Sequence, residues 1–467
     1  MKKRAYLLMA MTLILSTVLM TAGVAFAEEG KGDFNWRQFE GEKITVFLTE
    51  VPMSVGIREN LQQFLDLTGI DVEYLVVAEA QYWDKLNVDL ASGAGEYDVF
   101  MSGASFCWGW SDAGWIEPLD QFIEDPKLTP AEWDFADFYP WAIAAQRWDG
   151  TPGPAGLGKG SLWSLPVNTE TSLLTYRKDL FDKWGLKVPQ TWAEWADTAK
   201  MIKEKGGGEY YSVLQRGALD ITSIQAGYIS ALFSYGGKDF NEDLTPAMNS
   251  PKSVEFTKLY IDTIRETGSP DWASMMWYDV QQGMPTGKYV MVVDGDNFIP
   301  TYENAESSQV AGKLGYAPIP AGPEGARISN IWTWGLSMNS KAKNKGAAWL
   351  FMVWASGKDT MTAFSGVGSW PTRTSVWNSD KLVELTSKYG DGEFRKVLEG
   401  NYTERARWLP APMVDLPGVW NLWIKGLHNY YYQQMDAQAA MDQVAQEVTT
   451  LLTDSGTMEA FKAAQQK

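Results

Sequence analysis

Segments typical of β-strands alternate with segments typical of helices along the N-terminal part of this sequence. Lys43–Thr49 and Tyr97–Met101 are short runs of strand-forming residues, and Ile70–Val76 alternates apolar with polar residues. Between these strands, apolar residues recur at helical spacing from Ile57 to Leu65, and Tyr82–Ala91 is a second helical segment. Alternation of this kind favours a parallel sheet with helices on both of its faces.

The same alternation begins again after a loop rich in glycine and proline, Thr151–Gly160. Trp163–Val167, Ser172–Tyr176 and Lys288–Val293 are strand-like, and Thr191–Glu194 has the spacing of a capping box that opens a helix. A chain of 467 residues is longer than one core usually organises. The predicted fold is therefore α/β, in two lobes.

The first 27 residues have the order of a secretory signal peptide. The basic residues Lys2–Arg4 precede an apolar stretch from Tyr6 to Val24, and Ala25–Ala27 is a small-x-small cleavage site. The alternative is a membrane anchor, because the apolar stretch is close to spanning length. We predict cleavage after Ala27. Since no cysteine follows the leader to carry a lipid, we expect a free periplasmic protein.

Composition excludes several classes of function. The formal net charge of −18, from 58 acidic and 40 basic residues, would repel phosphate backbones and anionic headgroups, so nucleic acid is not an expected partner. Cys107 and His428 are the sole residues of their types, which leaves no zinc cluster and no base for a hydrolytic triad. We expect neither a metal nor a cofactor, and no catalysis. A glycoside hydrolase remains an alternative, because it needs only two carboxylates.

The chain is rich in tryptophan, with 23 residues. Most indole rings are expected in the core, but this surplus also points to a ligand with flat apolar faces. Indole rings together with carboxylates suit hydroxylated rings. They also suit a cation such as a polyamine, which remains a second alternative.

An ordered set of short motifs resembles a known family. The motifs are Leu67–Val72, Leu90–Gly93, Tyr97–Val99, Trp115–Asp120, Leu165–Val167, Leu174–Phe181, Gly185–Trp192, Gly287–Met291, Gly315–Pro320, Trp334–Met338 and the last long helix, Ala437–Leu452. With these motifs in order over almost the whole mature chain, the sequence resembles the extracellular solute-binding proteins of bacterial ABC importers, in the branch that includes maltose-binding protein. It departs from the family in lacking a lipobox cysteine and in its Trp-rich segment 106–115.

The resemblance implies a two-lobed periplasmic-binding-protein fold of type II, with the ligand held between the lobes. Three crossovers are expected, near Asn168-Thr169, Gly315-Tyr316 and Trp370-Pro371. Residues 28–168 and 316–371 would then form the N-terminal lobe, and residues 169–315 and 372–467 the C-terminal lobe. Ligand binding would close the lobes by a hinge motion.

The resemblance also implies a set of ligand contacts at strand ends and crossovers. Glu170, just past the first crossover, would be a polar contact, and Trp420 would be an aromatic platform under a sugar ring. The full set is Thr49, Glu50, Ser102, Ser105, Trp108, Glu170, Asp294, Asp296, Asn297, Trp332, Trp370, Arg373 and Trp420.

The predicted function is that of the binding component of an ABC importer for a sugar, an oligosaccharide or a sugar alcohol. Its expected partners are that small ligand and the permease subunits in the membrane, and we expect the binding protein itself to be a monomer.

Overall fold

The computed structural model describes residues 34–466. The predicted signal peptide and its cleavage site lie outside the described residues. Within residues 34–466, no helix combines the length and the apolar composition that crossing a membrane requires.

The described residues form eleven strands and twenty α-helices, joined by short 3-10 and π turns. The strands are β1 Lys43–Thr49, β2 Asp71–Val77, β3 Val99–Gly103, β4 Arg147–Trp148, β5 Ser161–Leu162, β6 Leu165–Arg177, β7 Tyr211–Leu214, β8 Tyr289–Gly295, β9 Leu314–Ala317, β10 Ser329–Met338 and β11 Ala406–Arg407. The helices are α1 Pro52–Thr68, α2 Glu79–Ser92, α3 Ala104–Asp112, α4 Asp120–Glu124, α5 Pro140–Ala145, α6 Lys178–Trp184, α7 Trp192–Gly206, α8 Ile221–Ser223, α9 Ile229–Tyr235, α10 Pro251–Thr267, α11 Trp277–Gly283, α12 Ile299–Tyr302, α13 Lys345–Ala355, α14 Lys358–Phe364, α15 Thr374–Trp377, α16 Asp380–Ser387, α17 Glu393–Gly400, α18 Leu416–Tyr431, α19 Ala437–Asp454 and α20 Thr457–Ala464.

The predicted strand–helix alternation is confirmed in both halves of the chain. The first helix, α1, ends at Gly69, which adopts the left-handed conformation (φ 69°) that terminates many helices. Thr191 caps the predicted helix, because its hydroxyl accepts a hydrogen bond from the Glu194 amide. The Glu194 carboxylate accepts from the Gln190 amide, one residue before the position that a capping box uses. Local sequence signals therefore set these helix boundaries.

One sheet runs through both lobes, with its central strands in the order β2-β1-β3-β10-β6-β8-β7. β1 pairs in parallel with β2 and β3 in the first lobe, and β7 pairs in parallel with β8 in the second. Two long strands, β6 and β10, pair antiparallel with each other and with one neighbour in each lobe. The predicted α/β class with two lobes is confirmed, and β6 and β10 form the connection between the lobes.

The structure places the second crossing later than the sequence analysis does. β9, Leu314–Ala317, pairs with the second-lobe end of β6, and the Tyr316 ring packs edge-on against Phe394 of the same lobe. The chain returns to the first lobe within β10, where a bulge lies between Trp334 and Gly335. The displacement arises because the pairing of β9 with β6 joins residues more than a hundred positions apart, which a local pattern cannot reveal.

The predicted third crossing, near Trp370-Pro371, lies in a segment that contacts both lobes, and Trp370 itself packs in the core of the second lobe. Arg373 still belongs to the first lobe, where its guanidinium donates to the carbonyls of Ser356 (2.7 Å) and Asp134 (2.9 Å). Val376 packs in the core of that lobe, whereas Trp377 packs in the second. Between Trp370 and Trp377, the chain therefore contacts both lobes.

Candidate functional site

The two lobes enclose a cavity of about 360 Å³, called the chamber below. Its walls come from the ends of strands in both lobes, where open α/β sheets leave crevices. The chamber is lined by Thr49, Glu50, Val51, Pro52, Glu79, Met101, Asn168, Glu170, Arg216, Thr222, Gln225, Trp277, Gln281, Asn297, Phe298, Thr301, Trp332, Trp334 and Gly368.

The two strands that connect the lobes supply the back wall of the chamber. Trp332 and Trp334 stand two residues apart on β10, so both side chains project from the same face of the sheet. On β6, Glu170 is directly opposite Trp332 and Asn168 is opposite Trp334. This register places two indole rings beside a carboxyl group and an amide on one surface.

The charged centre of the chamber is a buried ion pair in the second lobe. Arg216 follows β7, and its Nη2 and Nε donate to the two oxygens of Asp294 at 2.6 and 2.9 Å. Both side chains are buried, and the guanidinium also lies over the ring of Phe298 at 5.4 Å. Such a bidentate pair fixes the plane of the guanidinium. Asp294 therefore fixes the position of Arg216, which lines the chamber.

Glu170 stands on β6, the strand that pairs with the strand of Asp294, and the charges of the ion pair act on it. Burial raises the pKa of its carboxyl group to about 7, although Arg216 and a hydrogen bond from the Trp334 indole (3.0 Å) oppose the shift. A carboxyl group with this pKa exchanges its proton near neutral pH. It can therefore either donate or accept a hydrogen bond to a ligand hydroxyl.

A hydrogen bond joins the two lobes at the edge of the chamber. Glu79 is the first residue of α2 in the first lobe, and Trp277 is the first residue of α11 in the second. The Trp277 indole donates to Glu79 Oε2 at 3.2 Å, and Trp83 donates to Oε1 at 3.5 Å. Burial raises the pKa of Glu79. The lobes in this structure are therefore in direct polar contact.

Outside this contact lies a second cavity of about 520 Å³, called the vestibule below. It is lined by Glu50, Ala78, Glu79, Trp83, Phe106, Asp220, Ile221, Thr222, Met276, Trp277, Tyr278, Trp332 and Trp334. Trp83 and Phe106 stack here at 4.3 Å between ring centroids. The vestibule is thus more aromatic than the chamber.

The structure brings five of the thirteen predicted contact residues to the chamber: Thr49, Glu50, Glu170, Asn297 and Trp332. Each stands at the end of a strand or on a strand that connects the lobes. Residues that follow neighbouring strands converge at one edge of a sheet, so these five contacts implied by the family resemblance lie together at the chamber.

Four of the five polar residues among the other eight form hydrogen bonds within the protein. Ser102 bonds to the hydroxyls of Ser164 and Ser337, and Asp296 accepts from the backbone amide and hydroxyl of Thr171. Asp294 binds Arg216, and Arg373 is held by backbone carbonyls and lies 3.8 Å from the centre of the Phe138 ring. Ser105 is buried without a hydrogen-bond partner among the described residues.

The predicted aromatic contacts Trp108, Trp370 and Trp420 are fully buried in the core. Trp108 packs edge-on against Trp408 at 5.2 Å, and Trp370 packs against Phe394 at 5.4 Å. Trp420 lies on the inward face of α18, with its centroid 6.5 Å from that of Trp332. Trp420 therefore packs near Trp332, which lines the chamber, and does not line the chamber itself. Its position was not predictable, because tertiary packing decides which face of a helix is turned toward the core.

Sequence reasoning missed several residues that line the chamber. They include Asn168, Arg216, Gln225, Trp277 and Trp334. Trp334 carried a signal, because it stands two positions from Trp332 on a strand. Arg216 carried none, since its role depends on Asp294, 78 residues further along the chain. No cluster of three or more potential metal ligands occurs among residues 34–466.

Comparisons with known proteins agree with this architecture. Residues 54–362 match the family described as bacterial extracellular solute-binding protein. The chain is 34% identical over 362 residues to an erythritol/L-threitol-binding protein of Mycolicibacterium smegmatis, with 76% of this chain and 75% of that protein covered.

Solved structures of similar fold cover nearly all of the described residues. The maltose-bound MalE3 of T. maritima superposes with a TM-score of 0.74 at 22% identity, over 88% of this chain and 100% of that one. An ABC transporter solute-binding protein of Agrobacterium radiobacter in complex with ribitol superposes with a TM-score of 0.72 at 24% identity, over 88% and 99%. The family match, the relative above 30% identity and the two-lobed fold lead to one conclusion: this chain belongs to the bacterial extracellular solute-binding protein family.

Proposed function

We propose that this protein is the periplasmic binding component of an importer and holds a short sugar alcohol in the chamber. The observation that carries the proposal is the combination of Trp332 and Trp334 with Glu170, Arg216 and Asn168 in one cavity. Indole faces cover the C–H side of a polyol, and carboxyl, guanidinium and amide groups hydrogen-bond its hydroxyls.

The size of the chamber supports a short ligand over an oligosaccharide. Its volume of about 360 Å³ lies near the lower end of the range of about 300–1,000 Å³ that ligand pockets occupy. The relative at 34% identity points the same way, since it is an erythritol/L-threitol-binding protein.

Charge bears on the alternative of a polyamine ligand. Arg216 and Asp294 neutralise each other, and burial raises the pKa of Glu170 to about 7 and also raises the pKa of Glu79. Both shifts favour the uncharged carboxyl group, which attracts a cation less than a carboxylate does. Because Glu50 also lines the chamber, spermidine is one of the ligands in the test below.

Export, hinge closure and delivery to a permease complete the proposal. Cleavage after Ala27 would release the chain into the periplasm. The Glu79–Trp277 hydrogen bond forms across the cleft and would be lost if the lobes separated. Ligand contacts made by both lobes would stabilise this closed form, which the permease would then recognise.

Calorimetric titration with erythritol, ribitol, mannitol, maltose and spermidine tests the proposal. We expect saturable binding of at least one sugar alcohol, tighter than that of maltose or spermidine, with the ligand recovered unchanged. Trp334→Ala should weaken polyol binding at least about tenfold, or about 1.4 kcal/mol. Trp184→Ala is the matched control, since Trp184 packs against Tyr210 away from the chamber. Preferential binding of spermidine, or conversion of a sugar, would contradict the proposal.

A further inference from the structure

The chamber and the vestibule share a boundary of six residues. Glu50, Glu79, Thr222, Trp277, Trp332 and Trp334 line both cavities. Of these six, Glu79 and Trp277 belong to different lobes and are joined by a hydrogen bond. This hydrogen bond, called the crossbar below, therefore lies at the boundary between the chamber and the vestibule.

The two cavities offer different chemistry on either side of the crossbar. Beyond the shared boundary, the chamber adds Arg216, Glu170 and Asn168, which suit the hydroxyls of a small polyol. The vestibule adds Trp83, Phe106 and Tyr278, and its rim exposes 48% of Tyr278. Aromatic faces at the mouth of a polar chamber suit the C–H face of a sugar ring.

We propose that the Glu79–Trp277 crossbar sets the length of ligand that the cleft accepts, by confining it to the chamber. This inference rests on the proposed function. A linear polyol fits on the inner side of the bond, whereas a glycosylated polyol would have to pass between Glu79 and Trp277 to place its ring in the vestibule. The polar ends of this bond come from different lobes, so it forms as the cleft closes and excludes a ligand that protrudes.

The contacts of Glu79 and Trp277 explain how the crossbar is held in a position where it can exclude long ligands. Its carboxylate accepts from Trp277 on the opposite lobe and from Trp83 on its own helix, which orients it toward the cleft. The Trp277 ring is held in turn by Phe298, with 6.5 Å between the ring centroids, and Phe298 lies under Arg216. The crossbar is thus supported from both lobes.

Four proteins test the inference with ribitol as the short ligand and maltitol as the extended one. Glu79→Ala removes the acceptor, Trp277→Phe keeps a ring but removes the N–H donor, and Glu79→Gln keeps an acceptor oxygen. Calorimetry on these variants and the wild type gives the ratio of maltitol to ribitol affinity, and thermal unfolding checks that each variant folds.

The wild type and Glu79→Gln should favour ribitol, with little or no maltitol binding. Glu79→Ala and Trp277→Phe should each raise the maltitol-to-ribitol ratio at least about tenfold. If all four proteins bind ribitol and share the same low ratio of maltitol to ribitol affinity, the crossbar does not set ligand length. The proposed function would remain intact. Tight maltitol binding by the wild type would also overturn it. Absence of binding to any sugar alcohol by the wild type would overturn both proposals.

Discussion

At the scale of single residues, the chamber depends on groups whose charge and position are set by their neighbours. Asp294 was expected to contact the ligand, but the structure shows it bound to Arg216 through two hydrogen bonds. The sequence indicated that a carboxylate stands at the end of β8. It could not indicate the partner, because that partner comes from another strand.

Removal of the carboxylate of Asp294 should disturb both stability and binding. In Asp294→Asn the guanidinium of Arg216 would stay buried with its charge unpaired, which typically costs about 3–5 kcal/mol. We expect a lower melting temperature and at least about tenfold weaker polyol binding. Glu324→Gln, which breaks an exposed ion pair with Lys252, should change neither appreciably. The measurements are thermal unfolding and calorimetry. Equal effects of the two variants would show that Asp294 does not hold Arg216 in place for ligand binding.

The raised pKa of Glu170 predicts a pH dependence of stability. The folded protein holds this proton up to about pH 7, whereas an unperturbed glutamate releases it near pH 4.5, so unfolding is favoured as pH rises through this window. Arg216, Asp294 and Glu79 act on the same carboxyl group. The stability that the protonated Glu170 contributes is fully present below the pKa of the unfolded state and is lost as pH rises through the pKa of about 7 in the folded state.

Glu170→Gln should therefore flatten the fall in melting temperature between about pH 5 and pH 8. Glutamine keeps an oxygen that accepts the Trp334 hydrogen bond, so the comparison isolates the titration. The check is thermal unfolding of both proteins across this range. Identical slopes would show that Glu170 does not titrate with a raised pKa.

At the scale of elements, strand positions were predictable and helix faces were not. The strands near residues 43, 70 and 97 are present, and the residues that follow them reach the cleft, because period-two alternation and strand ends are local properties. Trp420 and Trp108 lie on helices, where a ring can face core or ligand with the same sequence pattern. Tertiary packing places both rings in the core: the helix of Trp420 packs against α19, and Trp108 packs against Trp408.

Two substitutions distinguish a tryptophan that stabilises the core from a tryptophan that contacts the ligand. Trp420→Ala on α18 should lower the free energy of unfolding by about 3–5 kcal/mol, because it leaves a cavity in the core. Trp334→Ala on β10 should cost less stability, since Trp334 is only partly buried, but more polyol affinity. The measurements are denaturant unfolding and calorimetry. Loss of affinity without loss of stability in Trp420→Ala would restore Trp420 as a ligand contact.

At the scale of the whole molecule, two lobes are connected by strands that pass from one into the other. The sequence predicted two lobes and a cleft from the repeated α/β pattern and the family resemblance. It did not locate the second crossing, which lies at the bulge between Trp334 and Gly335 because β9 pairs with β6 in the second lobe. The crossing and the back wall of the chamber therefore coincide on β10, so closure of the lobes and ligand contact involve the same strand.

A crystal structure of the protein grown with ribitol or erythritol would locate the ligand. We expect one ordered polyol in the chamber, with Trp332 and Trp334 against its carbon chain and Glu170 and Arg216 at its hydroxyls. The Glu79–Trp277 hydrogen bond should remain formed on the outer side of the ligand. An empty chamber at saturating polyol, or a polyol bound only in the vestibule, would show that the chamber is not the binding site.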